Sequence, residues 1–521
     1  MDSITIYAIC LCGIFVVGFF VANLLPPSIH FAQWLYRASS RSLLVAFHYV
    51  HYRHVINRHA IVGPWTLSTV LANAGYIVGN CICLRPGAEN VITRAGFLSL
   101  INLAPLFLGH HLSFLADLFG LSLATYRQIH SSSGLMSVAL LLVHALLVAT
   151  KQGSFSVDNL GSKLTVTGAT ALTLLVLLSI PPLRRRWYEF FLRIHQALAI
   201  LFVICTIVHL RSIPNFSWLP IYIYGGISGA LCLFQLGLYA YRNIGPECPR
   251  PYIKMVKEIQ DSGVIQVELC LSRPLLIDAG NYINVWIPSI SFWSTHPFMV
   301  TSWSAFPQTT IVLLIEPRSG FTSKLFQCAR LESSQHLHRQ FLFSGPHGGC
   351  AQVWEFKTVI MFATGFGIVA MIPHVKKLID GNIRGIGFIR RIRVVWQVEN
   401  SNLRNGIDKF INKLLSDDAL KDNYVLSFSI YDPACKREKI FGEHQRLAIF
   451  PSSPDIRDVI RSEATARADE LRRKAYSFTQ ADGRTLVLMS GGGAMRDEVR
   501  RVTRNYFTKG FELRELDYQP E

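Results

Sequence analysis

Long runs of apolar residues dominate the first half of the chain. They lie at about residues 4–25, 61–84, 95–116, 131–150, 164–183, 194–210 and 219–241. A helix rises about 1.5 Å per residue, so about 20 apolar residues cross the hydrocarbon core of a bilayer. The first run has neither a basic segment before it nor a small-residue cleavage site after it, which predicts a retained span rather than a cleaved signal peptide. The pattern therefore predicts seven membrane spans.

The pattern changes after about residue 241, where apolar runs shorten and charged and turn residues become frequent. Short alternating segments at residues 264–271, 282–287 and 310–315 are separated by Pro and Gly, which predicts a small antiparallel β-barrel. From residue 356 the pattern becomes strand, turn and helix in repetition, which predicts a doubly wound parallel sheet. We interpret residues 452–484 as an exposed, charged insertion between strands and assign it no chemistry.

These patterns define the predicted fold class: a multi-pass α-helical membrane domain, then an antiparallel β-barrel, then a doubly wound α/β domain. The predicted boundaries are residues 1–60 for the N-terminal span and inner loop, 61–245 for the transmembrane domain, 250–350 for the barrel, and 355–521 for the α/β domain.

Composition supports a membrane protein and excludes several other classes. The chain is 50% hydrophobic and 16% charged, which is too apolar for a soluble protein of 521 residues. The formal charge of +17 raises the question of nucleic acid, but the basic residues form no patch interleaved with aromatic residues, so we predict no nucleic-acid partner. The eleven cysteines include no CxxC motif, which excludes the usual zinc ribbon and gives no sign of a disulfide framework.

The basic residues between the spans predict the orientation in the membrane. The loops after spans one, three and five hold nine arginines: Arg37, Arg41, Arg53, Arg58, Arg127, Arg184, Arg185, Arg186 and Arg193. The loops after spans two, four and six hold five basic residues: Arg85, Arg94, Lys151, Lys163 and Arg211. Because cytoplasmic loops are enriched in Lys and Arg, the N-terminus is predicted outside and the C-terminal half in the cytosol, with the plasma membrane as the expected location.

Two predicted spans each carry a pair of histidines fourteen residues apart. His130 and His144 lie on span four, and His195 and His209 lie on span six. Fourteen residues give an axial offset of about 21 Å on nearly the same helix face. Since spans four and six are predicted to run parallel, His130 faces His195 at the inner depth and His144 faces His209 at the outer depth. Two such pairs can ligate two stacked haems in an apolar interior.

Other histidines have a plainer interpretation. A single histidine in a membrane helix is often only a buried polar group bonded to a neighbour, and the matched spacing of the two pairs argues against this for those four. The segment FHYVHYRHVINRH in the first inner loop is open to two interpretations, a metal patch or an interfacial amphipathic helix, and its mix of aromatic, basic and apolar residues favours the helix. His110 and His111 have no matching partner helix and are left out.

The α/β domain carries two glycine turns suited to a dinucleotide. Thr364-Gly365-Phe366-Gly367-Ile368 follows an apolar strand and opens a helix, where backbone N–H groups and the helix N-terminus favour a diphosphate. A second turn, Ser490-Gly491-Gly492, ends a later strand of the same predicted sheet. Either turn alone is compatible with a plain tight turn, but together they match a ligand lying across the carboxyl ends of the strands.

The barrel adds three loop motifs that are only weakly specific by themselves. They are His296-Pro297-Phe298, the run from Arg318 to Thr322, and Ser344-Gly345-Pro346-His347-Gly348. With RAGFLSLINLAPLFL, LRRRWYEFFLRIHQAL, TGFGI and MRDEVR, they make the chain resemble the ferric reductase and NADPH oxidase superfamily, specifically the fungal ferric-chelate reductases. The resemblance runs from about Arg94 to Val502, roughly four-fifths of the chain.

The resemblance implies the cofactors and their sites. The two histidine pairs would hold two b-type haems, with His130, His144, His195 and His209 as iron ligands. The barrel would bind FAD through His296, Pro297, Phe298, Thr301, Ser302, Gly320 and Thr322. NADPH or NADH would lie against Gly365, Gly367, Ile368, Glu399, Ser490, Gly491 and Gly492. No residue is assigned a catalytic acid–base role, because the cofactors carry the chemistry.

Several positions depart from the family pattern. Met299 follows HPF where a threonine is usual, His347 replaces the tyrosine of GPYG, and Ser490-Gly491-Gly492 replaces CGP. Ser131 and Ser132 follow the inner histidine where a basic residue is frequent. Glu399 stands where many relatives have an arginine for the 2′-phosphate of NADPH, although Arg390, Arg391 and Arg393 lie upstream as possible replacements. An acid at a strand end bonds ribose hydroxyls and repels that phosphate, so we predict a weakened preference for NADPH.

The resemblance thus implies a transmembrane flavohaem reductase that passes electrons from cytosolic NAD(P)H through FAD and two haems to an acceptor across the membrane. Ferric chelate or cupric ion is the implied acceptor. Two enzymatic alternatives remain, a superoxide-generating oxidase and a reductase dedicated to a specialised biosynthetic pathway. A different class, a binding or regulatory membrane protein that has lost electron transfer, is also open. Apart from the lipid bilayer and the acceptor, the sequence indicates no partner.

Overall fold

A computed structural model describes most of the chain. The described residues are 3–24, 46, 49–56, 58, 64–84, 90–108, 111–152, 159–186, 188–259, 262–292, 294–318, 320–331, 339–349, 353–387, 389–419, 424–442, 444–474 and 484–518. The chain divides into two compact units. The first unit is Met1–Pro27 with His54–Leu236, and the second unit is Ser28–Arg53 with Gly237–Glu521.

Where the structure describes the first unit, it forms helices and a short hairpin of β1 (His54–Ile56) and β2 (Trp65–Thr66). Its helices are α1 (Ser3–Leu24), α2 (Leu67–Leu84), α3 (Val91–Leu103), α4 (Leu112–Leu118), α5 (Leu123–Gln152), α6 (Leu160–Leu178), α7 (Pro181–Arg186), α8 (Tyr188–Arg211) and α9 (Leu219–Asn243), the last of which ends in the second unit. Six described helices are long and apolar enough to cross a membrane, namely α1, α2, α5, α6, α8 and α9.

The third predicted span, residues 95–116, is not one continuous helix. Helix α3 ends at Leu103, a short 3₁₀ turn follows at Ala104–Leu106, and α4 begins only at Leu112. Pro105 explains the break, because proline has no N–H for the helical hydrogen bond and its ring clashes with the preceding turn. The described residues therefore do not form the seven continuous spans that the sequence predicted.

Two close helix pairs build the first unit, α3 against α5 and α6 against α8. Gly168 lets α6 approach α8, since a Cβ at that position would lie only 2.8 Å from the Cβ of Cys205. Buried polar groups also join the helices. Asn102 of α3 accepts a hydrogen bond from the Tyr7 hydroxyl of α1 at 2.8 Å and donates one to Asn80 of α2 at 2.7 Å. Such bonds hold membrane helices together where lipid offers no polar partner.

The barrel of the second unit consists of two small antiparallel sheets. The first has the order β7 (Gln308–Ile315), β4 (Ile265–Leu275), β3 (Tyr252–Glu258) and β8 (Arg339–Gln340); the second has β6 (His296–Met299), β5 (Tyr282–Trp286) and β9 (Leu342–His347). Alternating side chains from both sheets meet in one apolar core that includes Ile253, Ile283 and Phe341. Helix α10 (Phe321–Leu331) packs against this core through Phe321.

The α/β domain has a seven-stranded sheet that is parallel except at one edge. Its order is β13 (Lys439–Phe441), β14 (Leu447–Phe450), β12 (Leu426–Tyr431), β11 (Arg391–Gln397), β10 (Phe356–Thr364), β15 (Arg484–Ser490) and β16 (Phe511–Glu515), with β13 antiparallel. The helices are α11 (Ile368–Arg384), α12 (Ser401–Asp418), α13 (Ile456–Lys474) and α14 (Gly493–Arg504). The central strands are buried on both faces, which explains their continuous apolar sequences. This is the predicted doubly wound architecture.

Helix α13 corrects the interpretation of residues 452–484 as an exposed insertion. Val459 and Ile460 of α13 are 4% and 0% exposed, and they pack with strand residues of the sheet. The sequence does not show this buried face clearly, because apolar positions recur only about once per turn and charged residues fill the others. The segment is the crossover helix between β14 and β15, which a parallel connection requires. Residues 475–483 lie outside the described part of the chain.

Two contacts of the second unit involve residues far away in the sequence. The Tyr52 hydroxyl donates to the carbonyl of Leu513 at 2.5 Å, and its ring lies 5.5 Å from the ring of Phe507. At Tyr52, the histidine-rich segment therefore packs on protein; His48 and His59 of that segment lie outside the described residues. At the end of α9, the Asn243 amide donates to the Phe343 carbonyl at 2.8 Å and accepts from the Phe343 N–H at 2.9 Å.

Candidate functional site

The four histidines of the first unit come together as two pairs. The rings of His130 and His195 have centroids 6.3 Å apart, and those of His144 and His209 have centroids 6.4 Å apart. This pairing requires α5 and α8 to run in the same direction, with α6 returning between them. Two imidazoles that each bond one metal through a nitrogen at about 2 Å have centroids roughly 6 Å apart.

The surroundings of the two pairs differ. The Nδ1 atoms of His130 and His195 are buried and have no hydrogen-bond partner among the described residues. By contrast, Nδ1 of His144 lies 2.8 Å from the carbonyl oxygen of Ile92, and Nδ1 of His209 lies 3.3 Å from the Thr165 hydroxyl. Gly96 keeps space beside one ring, because a Cβ there would lie 3.3 Å from Nδ1 of His144.

These residues fit haem ligation. Neutral imidazole nitrogens are suitable iron ligands, and the paired rings have the separation that one metal between them requires. Haem ligation itself stays a prediction.

In the barrel, the predicted flavin residues surround the start of α10. The His296 ring stacks on Phe321 with centroids 4.3 Å apart, and its Nε2 lies 2.9 Å from the Ser294 hydroxyl. Phe298 is buried beneath, 6.1 Å from Phe321. Gly320, with φ of 72°, makes the turn into α10. The HPF segment and the turn into α10 therefore form one aromatic surface, which suits a planar flavin.

Three of the remaining predicted flavin residues form hydrogen bonds with the backbone through their side chains. The hydroxyls of Thr301 and Ser302 accept from the N–H groups of Leu314 and Val312, at 3.1 and 3.0 Å. The Thr322 hydroxyl accepts from the Arg318 N–H at 2.8 Å. In the structure these three hydroxyls support the loops around the aromatic surface.

The departures at Met299 and His347 have structural explanations. Met299 is 4% exposed and paired with Tyr282 across β5 and β6. His347 is also 4% exposed; its Nε2 lies 3.0 Å from the Ser344 hydroxyl, and its ring lies 5.5 Å from Tyr282. Both side chains therefore belong to the barrel wall.

The two glycine turns of the α/β domain interlock at the carboxyl edge of the sheet. The Gly492 N–H donates to the Thr364 hydroxyl at 2.6 Å. A Cβ at Gly367 would clash with the carbonyl oxygen of Ser490, and Gly491 has φ of 137°. Ile368 begins α11 directly after the first turn. The two turns therefore need glycine because the chain segments lie too close together for a side chain. Their backbone N–H groups and the helix N-terminus suit a diphosphate.

Glu399 lies at the same edge, against the first glycine turn. A Cβ at Gly365 would lie 2.7 Å from the Glu399 carboxylate carbon. A second carboxylate, Glu316, has its pKa raised chiefly by burial; its partner Arg318 lowers the pKa, and the charge of nearby Glu399 adds a smaller increase. The turn expected to receive a diphosphate therefore has two acids beside it.

The upstream arginines lie before or early in β11, away from Glu399 along the strand. Arg391 starts β11, pairs with Thr358 at the opposite end of β10, and binds Glu463 at 3.0 Å. Arg393 is six residues before Glu399, about 20 Å along an extended strand. Arg391 is therefore occupied by Glu463 at the start of β11, and a compensating role for Arg390 or Arg393 stays a prediction.

An ion pair with a buried lysine joins the barrel to the α/β domain, and sequence patterns did not indicate it. Lys377 of α11 donates to both carboxylate oxygens of Asp278 at 2.6 and 2.8 Å, and the Trp303 indole N–H also donates to Asp278 at 3.2 Å. His374, one turn earlier and fully buried, lies near Gly280, and burial lowers its pKa to about 4. A Lys and an Asp 99 residues apart become partners only in the folded chain.

Gly367→Ala is expected to remove nucleotide binding while the barrel keeps its flavin. The added methyl group meets the backbone of Ser490 and Gly491, which cannot move without separating the two turns. The measurement is NAD(P)H-dependent flavin reduction, with flavin content measured beside it. Gly229→Ala is the matched control, because no atom lies within 4 Å of a Cβ there and its backbone is not in the left-handed region. Normal flavin reduction in Gly367→Ala would contradict the assignment of the turn.

Comparison with known proteins finds similarity in two regions of the chain. Residues 95–206 match the model of the ferric reductase like transmembrane component, and residues 253–351 match an FAD-binding domain. In the first of these regions the chain is similar to the ferric reductases. The first match contains three of the four paired histidines, His130, His144 and His195, and the second contains the HPF segment.

Individual ferric reductases are similar at low identity. The ferric/cupric reductase transmembrane component 2 of Schizosaccharomyces pombe is 22% identical over 77% of this chain and 78% of its own length. The ferric reductase transmembrane component 6 of Saccharomyces cerevisiae is 24% identical over 58% of this chain, and the probable cell surface ferric reductase kap2 of Aspergillus oryzae is 28% identical over 44%. The matches span 42% and 32% of those two relatives, less than half of their length.

Among solved structures, phthalate dioxygenase reductase aligns with 51% of this chain and 67% of its own, at 15% identity and a TM-score of 0.33. A ferredoxin NADP+ reductase from Neisseria gonorrhoeae aligns with 51% of this chain and 97% of its own, at 14% identity and a TM-score of 0.34.

Proposed function

We propose that the protein is a transmembrane oxidoreductase that takes electrons from cytosolic NAD(P)H and delivers them across the membrane through FAD and two b haems. The observation that carries the proposal is the presence of two histidine pairs, with centroids 6.3 and 6.4 Å apart, in a bundle related to ferric reductases. The FAD-binding domain and the interlocked glycine turns supply the donor side of the same pathway.

The chain's own residues would bind and orient the cofactors. When bound, FAD accepts a hydride and releases single electrons, and bis-histidine haem carries them one at a time. Two histidines for each iron leave no open coordination position, which favours electron transfer over ligand chemistry. The His296–Phe321 stack would hold the flavin ring, and the glycine turns would hold the diphosphate of the nucleotide.

Ferric chelate or cupric ion is the acceptor we propose. Its support is the naming of the related proteins, several of which are called ferric or ferric/cupric reductases. The experiment is turnover of the purified protein with NADH or NADPH against ferric chelate, cupric ion and oxygen. Superoxide dismutase added to the ferric assay separates direct reduction from reduction by superoxide. Flavin reduction without reduction of either metal would refute the acceptor, and no flavin reduction would refute the pathway.

The orientation follows the predicted excess of basic residues in the inner loops, with the N-terminus outside and the C-terminal half in the cytosol. In sealed vesicles of known sidedness, a C-terminal tag should be cut by protease added to the cytosolic side, and an N-terminal tag should be protected. Asn215 begins the sequon Asn-Phe-Ser in a predicted outer loop, where we expect little glycan because the loop is short. Cleavage of the N-terminal tag from the cytosolic side would contradict the proposed orientation.

A further inference from the structure

The two histidine pairs differ in how their rings are held, and this difference has a chemical consequence. An imidazole that ligates a metal through one nitrogen carries its proton on the other, and an acceptor for that proton fixes both the tautomer and the ring orientation. The inference below rests on the haem sites of the proposed function.

The His209 ring belongs to a directed chain of hydrogen bonds. The Thr165 hydroxyl donates to the carbonyl of Gly161 at 2.9 Å, so its single proton is committed to the backbone of α6. The same oxygen lies 3.3 Å from Nδ1 of His209, where it can only accept. Nδ1 of His209 is therefore the protonated nitrogen, and Nε2 is left as the metal-binding atom.

The His144 ring is held in the same way by the backbone. A carbonyl oxygen only accepts, so the 2.8 Å contact between the Ile92 carbonyl and Nδ1 of His144 places the proton on Nδ1. Both rings of this pair thus have a fixed tautomer, each through an acceptor on a neighbouring helix. The described residues offer no such acceptor to Nδ1 of His130 or His195.

We propose that Thr165 and the Ile92 carbonyl are positioning groups that make the His144–His209 site the more rigid and more electron-donating of the two haem sites. Hydrogen bonding at Nδ1 raises the basicity of the ligand nitrogen, which stabilises ferric over ferrous iron. This contribution lowers the reduction potential at His144–His209 and has no counterpart at His130–His195. The side-chain acceptor Thr165 is therefore a determinant of the potential of one haem only.

The test is spectroelectrochemical titration of the purified protein, in which the two haems are followed by their absorption bands. Thr165→Val keeps the shape of the side chain and removes the acceptor. We expect the potential of one haem to shift to more positive values and that of the other to stay unchanged. Thr165→Ser restores the hydroxyl and should return the wild-type potential.

Thr167→Val is the matched control, because the Thr167 hydroxyl also donates to a backbone carbonyl of α6 but lies on its exposed side. It should leave both potentials unchanged. A Thr165→Val protein with wild-type potentials, or with equal shifts in both haems, would overturn the positioning role while leaving two-haem electron transfer intact. A wild-type protein without two low-spin haems would refute the proposed function itself.

Discussion

The His130→Ala protein is expected to contain one haem per chain where the wild type contains two. His130 lies opposite His195, so its loss would remove one of the two histidines that would hold this haem. The His144–His209 pair lies about 21 Å further along the helices and has its own hydrogen bonds, so it should still assemble. The measurement is haem per protein, together with the reduced-minus-oxidised spectrum.

The control is His111→Ala, which changes a histidine of the same unit that belongs to neither pair and should retain both haems. His144→Ala should give the reciprocal result, with the other haem lost. Electron transfer to an acceptor across the membrane should be abolished in both single variants of the pairs. A wild-type spectrum in His130→Ala, or a single haem in the wild type, would rule out the two-pair scheme.

Glu399→Arg is expected to shift the donor preference towards NADPH by more than tenfold. A misplaced like charge across an interface can cost several kcal/mol, and about 1.4 kcal/mol is a factor of ten in affinity. The Glu399 carboxylate lies beside Gly365, where it would repel a 2′-phosphate, and an arginine at this position would supply the fork that a 2′-phosphate binds best. The measurement is flavin reduction at varied NADH and NADPH concentrations.

Glu399→Gln separates two contributions to this effect. Removing only the charge should strengthen binding of both nucleotides, because both carry the diphosphate, whereas arginine should add a preference for the one with the extra phosphate. Glu247→Arg, an equal change of net charge in the segment before the barrel, is the control and should alter neither. Unchanged selectivity in Glu399→Arg would mean that residue 399 does not face the ribose.

The sequence by itself was sufficient for the class of fold. Membrane helices are recognisable because about 20 apolar residues in a row have no other common use, and the parallel sheet because its buried strands are continuous apolar runs. Both are local patterns with a fixed period. The same holds for the histidine spacing, since fourteen residues bring two side chains to one helix face whatever surrounds the helix.

Tertiary structure decided how each site is supported. The partners of His209 and His144 are 44 and 52 residues away, and those of Lys377 and Tyr52 are 99 and 461 residues away. No periodic pattern connects such positions, because the contacts arise where separate elements pack. The side chains involved, a threonine in an apolar helix or a tyrosine in a basic loop, are ordinary in their local sequence.

Charge at the nucleotide edge gives the clearest contrast between the two levels. The sequence contained Glu399 and three arginines within ten residues, and it did not determine which would face the ligand. The strand separates them, with the arginines at its start and the acid just past its end, beside Gly365 and near Glu316 of the barrel. Local sequence determined which residues form the strand, whereas the packing of glycine turn, strand end and barrel determined which charge lies beside the first glycine turn, because electrostatic repulsion depends on distance in space rather than along the chain.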